Sequence, residues 1–126
     1  MKSRSTPVTA PPRYQTLNVQ RQADVFFVRF VNSSLDEAWV HRTNDELTAL
    51  VEQEGCLKLV VSLDQVECLY SNLLSMLLKT LRLLQGRNGR MKLIDVSPHA
   101  WNVFRVCKME DLFEFDTDKE KALRDW

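Results

Sequence analysis

Two short aliphatic runs, Leu57-Lys58-Leu59-Val60-Val61 and Met91-Lys92-Leu93-Ile94-Asp95-Val96, flank one long apolar stretch of helical period, and this arrangement restricts the fold most. Each run reads as a buried strand, because it is short, β-branched and bounded by turn residues. Strands that alternate with helices imply a sheet with a parallel part, since parallel neighbours need a crossover and helices must cover their apolar faces.

The pattern extends both ways. Upstream, Leu17-Asn18-Val19-Gln20 alternates and Val25-Phe26-Phe27-Val28-Arg29-Phe30 is dense in β-branched and aromatic residues, so a hairpin around Ala23-Asp24 is expected. Leu35, Ala38, Trp39, Leu47, Leu50 and Val51 fall on a helical period, with Asn32, Ser33 or Ser34 as candidate caps and Gly55 as the stop. The central helix is predicted from Asn72 to Gln85, with Ser71 placed to cap it and the Gly86 to Gly89 turn to end it. Ser97-Pro98 opens a third helix carrying Trp101, Val103, Phe104 and Val106, with Ser as cap and Pro at the first helical position. Leu112, Phe113 and Phe115 suggest a last strand, followed by a helix from Asp118 to Trp126 capped by Thr117 or Asp118. The expected class is α/β, a mixed β-sheet with helices packed against it in the order β-β-α-β-α-β-α-β-α. Val28, Val60, Leu77, Leu81, Leu93, Ile94 and Phe104 are expected to share one core.

Residues 1–15 carry Pro7, Pro11 and Pro12 among Ser, Thr, Lys and Arg, too little apolar surface to offset ordering a backbone, and read as a disordered leader. Residues 16–126 form the domain. At 126 residues the chain has room for one domain, which buries roughly two thirds of the surface its unfolded chain exposes. Lys+Arg and Asp+Glu both number 17, so there is no basic footprint for duplex nucleic acid or an anionic membrane. The three glycines, Gly55, Gly86 and Gly89, form neither a dinucleotide fingerprint nor a P-loop, and no cofactor is expected. Cys56, Cys68 and Cys107 match no redox pair or zinc knuckle and read as buried thiols of a reducing cytoplasm. No apolar run reaches the roughly 20 residues of a membrane span, and a cytoplasmic location without membrane insertion is expected.

The segments Lys58-Leu59-Val60-Val61-Ser62-Leu63, Val66-Glu67-Cys68-Leu69-Tyr70-Ser71, the apolar helix, Gly86-x-x-Gly89, Met91 to Pro98 and the late Leu112-Phe113 resemble the STAS domain of bacterial anti-sigma factor antagonists. The resemblance runs from about Leu17 to Leu123. It implies a regulatory binding module that sequesters an anti-sigma factor of the serine-kinase type, which in turn phosphorylates a serine at the start of the second helix. Ser71 occupies that position. The family usually has Asp-Ser-Ser-Gly-Leu-Gly there, and this chain has Tyr70-Ser71-Asn72-Leu73-Leu74-Ser75. The alternative within the family is a phosphorylation-independent scaffold subunit, as in stressosomes or lipid-transport complexes.

The residues themselves leave Ser71 open between a plain N-cap serine and a switch. A hydroxyl there faces unpaired backbone N–H groups and about half a positive charge from the macrodipole, and a phosphate would be tolerated by the fold while blocking a partner. On a helical wheel Asn72, Ser75, Lys79, Arg82 and Gly86 form a polar stripe, while Leu74, Leu77, Leu81 and Leu84 can face the sheet. Met76 and Leu83 then lie on one flank and Leu78 on the other, as a docking surface or under neighbouring helices. The candidate partner-binding residues are Asp64, Glu67, Tyr70, Asn72, Ser75, Met76, Lys79 and Leu83. Lys79, Arg82, Arg87, Arg90 and Lys92 make a basic cluster that is either a solvated face or a contact for an acidic partner or phosphate. His41 and His99 lack a second ligand nearby, and Asp45-Glu46 and Asp116-Asp118 read as helix-start acids, so no metal or catalytic pair is assigned. Leu69 to Leu73 is not the G-x-S-x-G elbow of a hydrolase, and no enzymatic activity is expected.

Overall fold

The computed structural model describes residues 14–31, 36–66 and 68–126. The strands are β1 (Leu17–Gln22), β2 (Val25–Phe30), β3 (Lys58–Ser62), β4 (Arg90–Ile94) and β5 (Glu114–Phe115). The helices are α1 (Glu37–Glu52), α2 (Ser71–Gln85), α3 (Pro98–Val106) and α4 (Lys119–Arg124), and the element order is the expected one. The five strands lie side by side in chain order. The β1–β2 hairpin is antiparallel, and β2, β3, β4 and β5 are parallel neighbours, with Val28 beside Val61 and Val61 beside Leu93.

Strand alternation gives the sheet two different faces. Phe26, Val28, Phe30, Leu59, Val61, Met91 and Leu93 pack with Leu47, Leu50, Leu74, Leu77, Leu81, Leu84, Ala100 and Phe104, so α1, α2 and α3 cover one face. Val25, Phe27, Val60 and Ile94 point the other way and meet Ala122, Leu123 and Trp126. The single core expected from sequence is therefore two. Val60 and Ile94 leave the set because, in register, they stand one residue out of phase with Val61 and Leu93.

Caps differ in detail from the predicted ones. Asp36, not an earlier residue, caps α1 by accepting the Ala38 N–H at 3.0 Å, and Asn32, Ser33, Ser34 and Leu35 lie outside the described residues. Ser97 and Asp118 cap α3 and α4 as expected. The α2–β4 turn uses Asn88, at φ +62°, for its left-handed residue. Gly89 is needed for room instead, since a Cβ there would stand 2.8 Å from the Leu57 carbonyl oxygen.

The expected leader lies mostly outside the described residues. Its last part is held: Glu46, buried in the middle of α1, accepts the Gln15 N–H at 3.0 Å, the Thr16 N–H at 3.1 Å and the Thr16 hydroxyl at 3.0 Å. Asp45-Glu46 is thus not a helix-start pair, and Glu46 instead tethers the chain entering β1. Of the other acidic pair, Asp118 caps α4 while Asp116 lies 3.8 Å from the buried Lys92 ammonium.

Candidate functional site

Parallel strands present their C-terminal ends together, and the loops leaving them are the usual place for a binding site. Here β3 ends at Ser62 and the chain turns through Asp64-Gln65 to α2. Leu63, Val66 and Leu69 are all buried and fasten this loop to the core. The Leu63 N–H donates to the Ile94 carbonyl at 3.0 Å and the Val66 N–H to the Leu63 carbonyl at 2.9 Å. With its apolar residues turned inward, the loop leaves Asp64, Gln65, Cys68 and Tyr70 exposed.

Polar groups brace the same loop. The Arg29 guanidinium, at the end of β2, donates to both Asp64 carboxylate oxygens. The Ser62 hydroxyl accepts the Asp64 N–H at 3.3 Å and donates to the Asp95 carboxylate at 2.6 Å. Burial pushes the Asp64 carboxyl up, but hydrogen bonds and charge from Arg29, with help from Ser62 and Gln65, outweigh it and hold the group below the ordinary carboxylate value. Asp95 sits at φ +56°, a left-handed conformation that asparagine and aspartate tolerate better than most residues. Arg29, Ser62 and Asp95 were not among the sequence candidates. Their signal was present only as polar residues at the ends of three predicted strands, a pattern that acquires meaning once those ends are known to be adjacent.

The start of α2 is unusual. Tyr70 occupies the N-cap position without a side-chain cap, and no acidic residue lies in the first turn. Ser71 is consequently the first helical residue and not the cap, because the extended backbone of the boundary falls on Tyr70 at φ −95° and ψ 164°. The Asn72 carboxamide oxygen accepts the Leu73 N–H at 2.7 Å, and Ser71 itself is exposed.

Along α2, Asn72, Ser75, Lys79 and Arg82 are exposed as the polar stripe predicted. Asn72, Ser75 and Lys79 line a groove of about 600 Å³ against Glu37, Val40, His41 and Asn44 of α1, with Met76 between the two helices. Met76, a candidate partner-binding residue, is only 2% exposed, so of the two readings of that flank, cover by a neighbouring helix, α1, holds at this position and a docking surface does not. Leu78 and Leu83 are half-buried and pack on the same core. The groove brings together Asn72, Ser75 and Lys79, Asp64, Tyr70 and Ser71 are exposed on the loop and helix start before it, and Glu67 lies outside the described residues.

The expected basic cluster disperses. Lys92 points to the second face of the sheet and is buried, Arg90 is paired with Glu114 at 3.0 Å, and Arg87 lies 3.9 Å from Glu52. The cysteine reading holds for Cys56 alone, whose thiol burial pushes up to about 12, whereas Cys68 and Cys107 are exposed. His41 lies 3.6 Å from Asp45 on the exposed side of α1. Among the described residues no group of three or more His, Cys, Asp or Glu could hold a metal ion, and no helix is long and apolar enough to cross a membrane.

Residues 16–122 match the family model of the STAS domain. An anti-sigma-factor antagonist (STAS) domain protein from Planctomyces limnophilus superposes with a TM-score of 0.75 at 22% identity, over 85% of this chain and 94% of that one. An anti-sigma factor antagonist from Mycobacterium paratuberculosis gives 0.73 at 22% identity, over 92% and 96%. The Bacillus cell fate determinant SpoIIAA in its phosphorylated form gives 0.67 at 17% identity, over 86% and 97%. At these identities the likeness is one of fold.

Proposed function

The chain belongs to the STAS domain family, and on that premise we propose that it is a regulatory binding module of the anti-sigma factor antagonist kind. It binds an anti-sigma factor with serine-kinase activity, and phosphorylation of Ser71 ends the binding. The observation that carries this reading is the exposure of Ser71 on the first turn of a helix whose preceding loop is fixed by Leu63, Val66 and Leu69. A switch residue needs both properties, access for the modifying enzyme and a rigid surface whose recognition the phosphate can spoil.

The physics of the modification agrees with that role. A phosphate brings about −1.5 to −2 charges to the positive end of α2, so the fold tolerates it. The same charge desolvated against a partner without a counter-ion is costly by several kcal/mol. Binding is lost while folding survives. In this reading the contact surface is Asp64, Glu67, Tyr70, Asn72, Ser75, Lys79 and the exposed edge of Leu83, with Met76 supporting it from below. Tyr70, 48% exposed where the family has an acidic residue, supplies an aromatic anchor of the type enriched at interface centres.

The test combines variants with a search for the modification. Ser71→Asp is expected to abolish capture of the partner, Ser71→Ala to bind and escape control, and phosphate-sensitive mass spectrometry of protein from its native cell to find phosphoserine 71. A kinase-type ATPase in the captured fraction is the expected partner. Ser71 unmodified under all growth conditions, together with Ser71→Asp binding as tightly as wild type, overturns the switch and leaves a phosphorylation-independent scaffold.

A further inference from the structure

Among the described residues, very little closes the second face of the sheet. Val25, Phe27, Val60 and Ile94 are buried there beneath a helix of six residues, α4, and the side chains of Leu123 and Trp126. A helix of that length has no stability of its own, so its order depends on what grips it. The grip centres on Lys92. This side chain, 5% exposed, reaches the backbone carbonyls of Ala122, at 3.4 Å, and Asp125, lies 3.8 Å from the Asp116 carboxylate and stands 4.4 Å from the centre of the Trp126 ring. Lys119 adds an outer hold, with its ammonium over the Phe27 ring at 4.2 Å and on the Gln20 side chain at 3.0 Å.

One group in this closed arrangement is unsatisfied. The Trp126 indole N–H is buried with no hydrogen-bond partner among the described residues. Buried donors left unpaired weigh against the state that buries them. Opening would return that N–H to water and rehydrate the Lys92 ammonium, at the expense of wetting four apolar side chains. The α1–α3 face has a far larger core.

We infer that residues 117–126 form a strap, latched by Lys92, that opens from the sheet as one cooperative unit while the α1–α3 face stays folded. Local opening of this kind is distinct from fraying, in which protection decays residue by residue toward the end of the helix. Nothing in this inference depends on the Ser71 switch.

Native-state hydrogen exchange on the full chain tests it. The Lys121 and Ala122 amides, which donate to Asp118, are expected to share one opening equilibrium with a common denaturant dependence. They should exchange at least a hundredfold faster than Leu77 and Leu81 in α2. Lys92→Met should speed the strap amides a further tenfold or more and shift Trp126 emission to the red, with α2 protection unchanged. Leu123→Ala, which loosens the strap from its own side, should do the same and keeps the test available if Lys92→Met does not fold. Strap amides exchanging at the α2 rate overturn the inference, as do rates that climb progressively toward Asp125 or variants that raise strap and α2 exchange together.

Discussion

A methyl group on Gly89 would lie 2.8 Å from the Leu57 carbonyl oxygen and 3.0 Å from a methyl of Leu84. Neither neighbour can give way, because the same carbonyl accepts the Arg90 N–H and Leu84 is in the core. Gly89→Ala is therefore expected to lower stability by about 1–3 kcal/mol, the usual range for overpacking, measured as a shift of the urea midpoint. Met76 makes the complementary case. Met76→Glu places a carboxylate at a residue only 2% exposed, and circular dichroism should show loss of fold or a destabilisation above about 3 kcal/mol. Lys79→Glu, one turn along and exposed, should change stability by no more than about 0.5 kcal/mol and act on partner binding alone. A Lys79→Glu variant that unfolds would place that stripe in the core. A helical wheel separates the two residues poorly. It gives the angle of Met76 on α2 and carries no information on whether a second helix stands at that angle, which depends on how α1 packs.

Elements are the level at which sequence and structure agree best, for a physical reason. Strand and helix preferences are properties of neighbouring residues, so the apolar spacing in Leu73 to Leu84 and the density of β-branched and aromatic residues in Val25 to Phe30 suffice to place α2 and β2. The ends are harder, because one or two hydrogen bonds decide them. Ser71 moved from cap to first helical residue on the conformation of Tyr70 alone, whereas Ser97-Pro98 was unambiguous because proline admits few alternatives. Leu77 and Leu81 test the α2 assignment directly. Both are buried against the sheet, and Leu77→Ala and Leu81→Ala should each destabilise by about 2–5 kcal/mol. Chemical denaturation giving less than about 0.5 kcal/mol for both would turn that face of the helix to solvent. The site was legible at its core and not at its frame. Ser71 and the polar stripe follow from one helix, while Arg29, Ser62 and Asp95 come from three strands whose adjacency is a tertiary fact.

For the whole molecule the charge balance hides three ion pairs that respond to acid together. Lys58 holds the Asp24 carboxyl below its ordinary value of 3.8, Arg90 holds Glu114 below 4.5, and at Asp64 the pairing with Arg29 outweighs burial. A carboxyl more acidic in the folded than in the unfolded chain adds stability above its unfolded value and loses it as pH falls through the folded one. The thermal midpoint is accordingly expected to be level from about pH 7 to pH 5 and to decline below about pH 4. The decline should diminish when Asp24, Asp64 and Glu114 are replaced by their amides. A midpoint that starts falling near pH 6 would overturn this assignment.

The five strands lie across the sheet in the order in which they occur in the chain. For a polypeptide leaving the ribosome this has a temporal meaning: each strand, on emerging, finds the neighbour it must join already present, and none has to wedge between two that have closed. Synthesis and assembly can advance in step from the first hairpin onward. The stretch that seals Val25, Phe27, Val60 and Ile94 follows all five strands in the chain, so a nascent chain would carry one greasy flank, open to chaperones, until that stretch has emerged.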